Sequence, residues 1–312
     1  MRFVSFSSGS CGNCSLLLGP SSGILIDAGV GIRRIKKELE ALHLGYENIS
    51  AILITHDHGD HIRSLGSFCK RVSAPVWTTP ILQEALLRHP FTRDWVGPCR
   101  QDLQAGVWNP VTEDFDVQYF VVPHDATQCV GYAIRCGEEL FVLMTDMGHA
   151  TEEALEWASQ ATTVVIESNY DLGMLLGGSY PQELKDRISH GIGHLSNDAC
   201  AEAIPRFLHP GLKNLFLCHL SGNNNTPELA YASAKGGRAG GRRCRARRRE
   251  PSCIAKRNRL SAAGFVAYSF KSPRERRRLF LSSRTRVARS SIIFSVRRPD
   301  ATASRTAWKA SL

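Results

Sequence analysis

The sequence predicts an α/β layered fold, and two observations predict it. Short apolar runs suited to buried strands alternate with segments of helical period. Four of those runs lead, one after another, into residues of metal-ligand type: His56, His124, Asp146 and His219. Strand ends collect at one edge of a sheet, which is where α/β sites form.

The elements follow in order along the chain. Residues 2–8 read as a strand closed by a Ser/Gly turn. Residues 16–18 and 24–26 read as two short strands around Gly19-Pro20, a hairpin signal. Ile32, Ile35, Leu39 and Leu42 repeat at helical spacing and predict a helix over 31–42. Residues 51–55 are a continuous apolar strand, buried on both faces. Residues 76–78 predict a strand and 80–88 a helix. A strand over 116–123 runs into His124. Residues 130–135 and 140–145 pair around a Gly137-Glu138 turn, and the second strand runs into Asp146. Residues 151–159 predict a helix and 163–167 a buried strand. Helices are expected at 181–188 and 197–208. A strand over 214–218 runs into His219, and a helix starts at Pro227.

Composition narrows the function classes. Hydrophobic residues make up 43% of the 312, enough for a core. No run of about 18 apolar residues is present, so no membrane span is expected. The first residues read as a strand and turn rather than a signal peptide. Ten scattered cysteines do not form a secreted disulfide framework. Cys11 and Cys14 form one C-x-x-C in a Gly/Ser turn, and a zinc ribbon needs a second pair. A reducing, cytoplasmic setting is expected.

The net charge of +10 is unevenly placed. Residues 236–312 hold 22 Lys+Arg against 3 Asp+Glu, whereas residues 1–235 hold 17 against 26. The body is therefore acidic, and overall basicity says nothing about it. The chain divides into a domain over 1–235 and an Arg-rich low-complexity tail over 236–312, expected to be mostly disordered. Within that tail, residues 262–270 are an apolar island that could add a strand.

The chemistry sits at His56-Asp57-His58-Gly59-Asp60-His61. Four ligand-type residues in six positions, straight after a buried strand, suit zinc, manganese or iron. Alternate residues converge on one ion, so His56 and His58 pair on a first metal and Asp60 and His61 on a second. His124 completes the first set and His219 the second. Asp146 bridges the two. A bridging carboxylate and hydroxide hold such ions about 3.5–4 Å apart, and the hydroxide serves as nucleophile.

These residues resemble the metallo-β-lactamase superfamily, whose H-x-H-x-D-H signature matches HDHGDH at 56–61, preceded by LIDAG at 25–29. More narrowly, the chain resembles the YycJ/WalJ-like branch. SFSSGSCGNC (5–14), VPHDATQCVGYAI (122–134), TDMGHA (145–150), ESNYDLGML (167–175), YPQELKDRI (180–188), GHLSN (193–197) and CHLSGNNNTPELA (218–230) carry that likeness. The resemblance implies an αββα four-layer sandwich, two divalent metals and phosphodiester hydrolysis, with 5′-to-3′ exonuclease action on DNA. Members usually continue after PELA with a helix and a final strand that packs on the sheet. Here Gly236-Gly237 and the Arg-rich run interrupt, so either the 262–270 island replaces that strand or part of the core is exposed.

Further positions carry weaker expectations. The resemblance gives Asp27 a supporting role, holding the ligand loop by hydrogen bonds. Asp60 is expected to act in catalysis as well as in metal binding. His194 could contact the scissile phosphate or protonate the leaving oxygen; it could equally be a histidine at a helix start capped by Ser196 or Asn197. His190 is a weaker case of the same kind. Asn169 and Asp171 either face the cleft or shape a turn, and Ser7, Ser8 and Asn13 either offer donors to a phosphate or form a turn. Two other functions fit the same chain: a thioester or lactone hydrolase of the same superfamily, and a non-catalytic nucleic-acid-binding protein using the basic tail.

Overall fold

The structure is a computed structural model and describes residues 1–236 and 266–267. The other residues of the Arg-rich tail, and the expectation of disorder there, lie outside the described residues.

Two mixed sheets stack face to face, with helices on both outer sides. The first sheet takes six strands in sequence order: β1 (Arg2–Ser7), β2 (Cys14–Leu18), β3 (Gly23–Ile26), β4 (Ala51–Leu53), β5 (Val76–Thr78) and β6 (Arg100–Asp102). Helix α1 (Ile32–Ala41) connects β3 to β4. Helices α2 (Gly59–Ile62) and α3 (Leu65–Val72) lead to β5, and α4 (Pro80–Arg88) leads towards β6. The second sheet contains β7 (Asn109–Pro110), β8 (Asp116–Val122), β9 (Cys129–Cys136), β10 (Glu139–Met144), β11 (Thr163–Glu167), β12 (Asn214–Cys218) and β13 (Val266–Ala267). Its helices are α5 (Glu152–Gln160), α6 (Leu172–Gly177), α7 (Gln182–Ser189), α8 (Asn197–Phe207) and α9 (Pro227–Gly236).

The layering follows from the period of two along each strand. Leu16, Leu25 and Ile52 point outward onto Ile35, Leu39, Phe68 and Leu86 of the helices. Their neighbours Leu17, Ile24, Ile26 and Leu53 point inward and meet Val117, Tyr132, Phe141, Leu143 and Val165 of the other sheet. On the far side Val142, Met144, Val164, Ile166 and Leu217 pack on Leu155, Ala158, Ile204 and Phe207. The central strands β3, β4, β10, β11 and β12 are covered on both faces, so they read as near-continuous apolar runs rather than alternating ones. The arrangement is the expected αββα sandwich.

Several short elements differ from the sequence expectation: strands β6 (RQD) and β7 (NP) and helices α2, α3 and α6. None carries a long enough apolar period to stand out. The 262–270 island does supply backbone pairing. Val266 and Ala267 lie antiparallel to Leu217 and Phe216 and extend the sheet beyond β12.

Strand direction places the site. β3, β4 and β5 run parallel in one sheet, and β10, β11 and β12 in the other. Their C-terminal ends therefore bring Asp27, His56, Asp146, Glu167 and His219 into one cleft between the sheets.

Candidate metal centre

The ligand loop is held from below by the LIDAG turn. Ala28 N–H donates to His61 O at 2.7 Å, and Asn13 N–H donates to Asp60 O at 2.7 Å. The approach is so close that a Cβ on Gly29 would lie 1.5 Å from Asp60 O. Only glycine fits there.

Three site residues, Asp27, Asp146 and His219, have φ of 60°, 52° and 54°. Non-glycine residues enter this left-handed region at a cost, and such strain concentrates at functional sites. Each sits just past a strand end, where the turn swings its side chain back over the sheet edge. Neighbours hold the His219 turn: its N–H donates to Ser8 Oγ at 2.8 Å, and Asn169 Nδ2 donates to its carbonyl at 2.8 Å.

The seven expected ligands converge. Donor atoms of His56, His58 and His124 lie within 4.8 Å of one another, as do those of Asp60, His61 and His219. Asp146 stands between the two triads. One oxygen is 3.5 Å from His61 Nε2 and the other 3.4 Å from His219 Nε2, and its carboxylate also groups with His56. The Nε2 atoms of His56, His124 and His219 are buried and have no hydrogen-bond partner. An unpartnered buried ring nitrogen is costly unless something else binds its lone pair. Imidazole and carboxylate donors in this arrangement fit divalent metal ions.

The reverse sides of the rings are anchored. His61 Nδ1 donates to Asp27 Oδ2 at 2.8 Å, and Asp27 Oδ1 accepts the Thr55 N–H at 2.9 Å. His124 Nδ1 donates to Gly193 O at 2.8 Å. Such outer partners fix ring orientation and tautomer. Asp27 thus ties the ring of His61 to the backbone of Thr55.

One residue that the sequence reading did not single out is central. Glu167 is fully buried at the end of β11. Its Oε1 accepts from His194 Nδ1 at 2.8 Å and His219 Nδ1 at 3.0 Å. Its Oε2 accepts from Met147 N at 2.9 Å and Leu195 N at 3.2 Å. Both oxygens are thus engaged with neighbouring hydrogens, and Glu167 also groups with Asp146, His194 and His219, whose donor atoms lie within 4.8 Å of one another. An acidic residue closing the apolar run TVVI was the available signal.

Electrostatics follow from burial and these pairs. Burial, then the neighbouring His61, pushes His56 well below the usual imidazole range, so its ring is neutral and its lone pair available. Burial also lowers His124. His61 behaves oppositely: burial opposes its charge, but Asp27 and Asp146 outweigh it and hold the group up at about 9. At His219 burial is outweighed by Asp146 and Glu167, and the value is about 10. Burial opposes ionisation of Asp146, yet His219 and His61 hold it well below the usual carboxylate range.

The remaining candidates separate cleanly. His194 is partly exposed, with ring centroids 5.2 Å from His124 and 5.1 Å from His219. It groups with Asp146, Glu167 and His219, its Nδ1 3.7 Å from Asp146 Oδ1, while Ser196 caps α8 by accepting from Ala199 N. Asn13 Nδ2 lies 2.8 Å from His61 Nε2 and 3.2 Å from Asp60 Oδ2. Asp171 caps α6 and has a turn role. His190 is exposed at the end of α7 and belongs to none of the clusters. Ser7 lines a small cavity beneath Asp27 with Ser8 and Asn13. Cys11 is exposed, Cys14 lies buried in β2, and both are free thiols.

A two-sheet sandwich with a histidine and aspartate cluster at one edge defines a metal-dependent hydrolase. Residues 23–219 match the family model described as the beta-lactamase superfamily domain, and the chain belongs to that superfamily, with the metallo-β-lactamase fold. Among named relatives it is similar to exodeoxyribonuclease WalJ of Streptococcus pneumoniae, 32% identical over 230 residues, 74% of this chain and 85% of that one. It is also similar to exodeoxyribonuclease YycJ of Bacillus anthracis, 31% identical over 236 residues, 75% of this chain and 87% of that one. Among solved structures, Zn(2+)-bound PqqB from Methylobacterium extorquens shares the fold with a TM-score of 0.59 at 15% identity, covering 76% of this chain and 96% of that one.

Proposed function

We propose that the protein is a dinuclear metal-dependent phosphodiesterase that degrades DNA from the 5′ end. The observation that carries this reading is that three buried ring nitrogens, from His56, His124 and His219, lack partners, while the Asp146 carboxylate groups with His56 on one side and with His219 on the other, and His124 groups with His56. His56, His58 and His124 would hold one ion and Asp60, His61 and His219 the other, with Asp146 available to both. Zinc or manganese suits these donors, and iron is compatible. Ions bound there supply Lewis acidity towards a phosphoryl oxygen and activate water near neutral pH.

The chain's own groups do the rest. Asp27 and Glu167 keep the rings of His61 and His219 in place. Asp60 is the more open carboxylate, its side chain 25% exposed against 2% for Asp146, and it faces incoming substrate. Burial lowers His194 but Glu167 outweighs it and raises the ring above the ordinary imidazole range; in this reading His194 supplies a proton to the leaving oxygen.

DNA as substrate is supported by the exodeoxyribonucleases that the chain resembles. The domain over 1–235 carries the chemistry. The tail over 236–312, with 22 Lys+Arg, adds phosphate affinity without sequence preference. Among the described residues no helix is long and apolar enough to cross a membrane, and the cysteines are free thiols. The thiols support a cytoplasmic setting.

The test uses the full chain and Asp60→Ala, each with manganese or zinc, on 5′-labelled and 3′-labelled DNA and on bis(p-nitrophenyl) phosphate. Wild type should cleave both kinds of substrate and shorten DNA from its 5′ end, while the variant should be inactive. No cleavage by metal-loaded wild type sinks the reading. The acidic balance of residues 1–235, 26 against 17, favours a second reading as a thioester or lactone hydrolase. Turnover of such an ester without phosphodiester cleavage would establish it.

A further inference from the structure

We infer that Phe91 is a stacking platform for a nucleobase of the DNA strand being cut, with Arg63 as the cation for a neighbouring phosphate. The inference rests on the nuclease reading above and adds to it a residue that positions substrate.

Phe91 is a large apolar side chain left 48% exposed, and it sits against the ligand loop. Gly59 lies between His58 and Asp60, and a Cβ on Gly59 would be 3.3 Å from Phe91 Cε2. The ring therefore packs on the ligand loop at Gly59, the residue between His58 and Asp60.

Its backbone is fixed although its face is open. A Cβ on Gly66 of α3 would lie 2.3 Å from Phe91 O, so the loop is seated directly on that helix. The next residue, Thr92, is buried and donates its hydroxyl proton to Leu86 O. Phe91 N–H donates to His89 Nδ1 at 3.2 Å, and the His89 ring packs 5.1 Å from the phenyl centroid. A ring held rigidly in water loses little freedom when a second flat ring covers it.

The charges nearby favour a nucleic acid as the occupant. Arg63 follows Gly59 by four residues, one helical turn on, and its N–H donates to Gly59 O at 2.9 Å. Its side chain is exposed and has no carboxylate partner among the described residues. The Phe91 loop also carries Trp95, 43% exposed, with Lys70 Nζ 4.4 Å above its ring. Aromatic faces interleaved with cations are how single strands are gripped without sequence preference.

The test uses the full-length, manganese-loaded protein and two 5′-phosphorylated single strands, one normal and one with abasic residues over its first nucleotides. Phe91→Ala should raise KM on the normal strand about 10-fold and leave kcat within about 2-fold, as expected for loss of one stacked base. Phe91→Tyr should restore KM. Wild type should already show the raised KM on the abasic strand, and Phe91→Ala should add nothing to it. An unchanged KM on the normal strand, or an equal rise on both strands, overturns the inference. Thermal midpoint and metal content, matched across the variants, exclude a folding defect. If wild type cleaves neither strand, the nuclease reading fails first and takes this inference with it.

Discussion

Glu167 accepts the Nδ1 hydrogen of His219 at 3.0 Å, and the Nε2 of the same ring is left buried, unpartnered and 3.4 Å from Asp146. Glu167, with Asn169 Nδ2 3.1 Å from the same Nδ1, thus leaves Nε2 as the nitrogen of His219 that faces Asp146. It also accepts from His194 Nδ1, so two rings on the same side of the cleft share a single anchor. The relation is electrostatic as well as geometric: burial opposes ionisation of Glu167, but His194 and these hydrogen bonds hold it down at about 2.

Replacing that anchor should loosen the metal without unfolding the protein. Glu167→Gln keeps the shape but loses the charge and one acceptor oxygen. Metal affinity is expected to fall about 10–100-fold, the usual effect of removing an outer partner. Titration against a competing chelator reads this directly. Unchanged affinity contradicts the positioning role.

Histidines inside and outside the cluster should behave differently. His56→Ala removes a buried donor and should abolish both bound metal and phosphodiesterase activity. His190→Ala alters an exposed ring at a helix end and should leave both intact. Elemental analysis beside a bis(p-nitrophenyl) phosphate assay distinguishes the two, and equal losses would rule out the proposed ligand set.

The glycine of LIDAG offers a steric test. Gly29→Ala drives a methyl group into Asp60 O. The ligand loop must move, so stability and metal content should drop together. A variant that keeps full metal occupancy shows that the contact relaxes more easily than its geometry implies.

In the metal-free protein, pH should act through His61 and His219. Their values, about 9 and about 10, lie above the ordinary 6.5. A group raised on folding stabilises fully below its unfolded value and loses that contribution as pH climbs through the folded one. The melting temperature of chelator-stripped protein should therefore decline between pH 7 and 10. Glu167 acts in the opposite direction: its contribution is present above 4.5 and fades as pH falls towards 2. A flat melting temperature from pH 7 to 10, measured by calorimetry, would falsify the histidine assignment.

Ending the chain after Gly236 removes the strand paired with β12 along with the basic tail. The edge of β12 then loses its backbone partners at Phe216 and Leu217. The melting temperature should fall by about 2–4 °C for each kcal/mol lost. Non-specific DNA binding should weaken and depend less on salt. Metal content should stay the same, since all seven proposed ligands precede the cut. A variant as stable as the full chain would show that the β13 pairing contributes nothing.

The sequence by itself determined the layered fold and singled out the histidines and aspartates that the structure gathers at one sheet edge. Four ligand-type residues within six positions are local information, and the apolar strands before His56, Asp146 and His219 are readable from their runs of apolar residues. The supporting shell was decided only by tertiary structure. β11 and β12 lie parallel with Glu167 opposite Cys218, which puts that acid beside His219, a residue 52 positions away. Likewise Phe91 reaches Gly59 because its loop rests on α3, and Val266–Ala267 reach β12 across the Arg-rich run. Ligand chemistry is set by residue type and short spacing, whereas partnership across strands and loops is set by register and packing, which no stretch of sequence specifies alone.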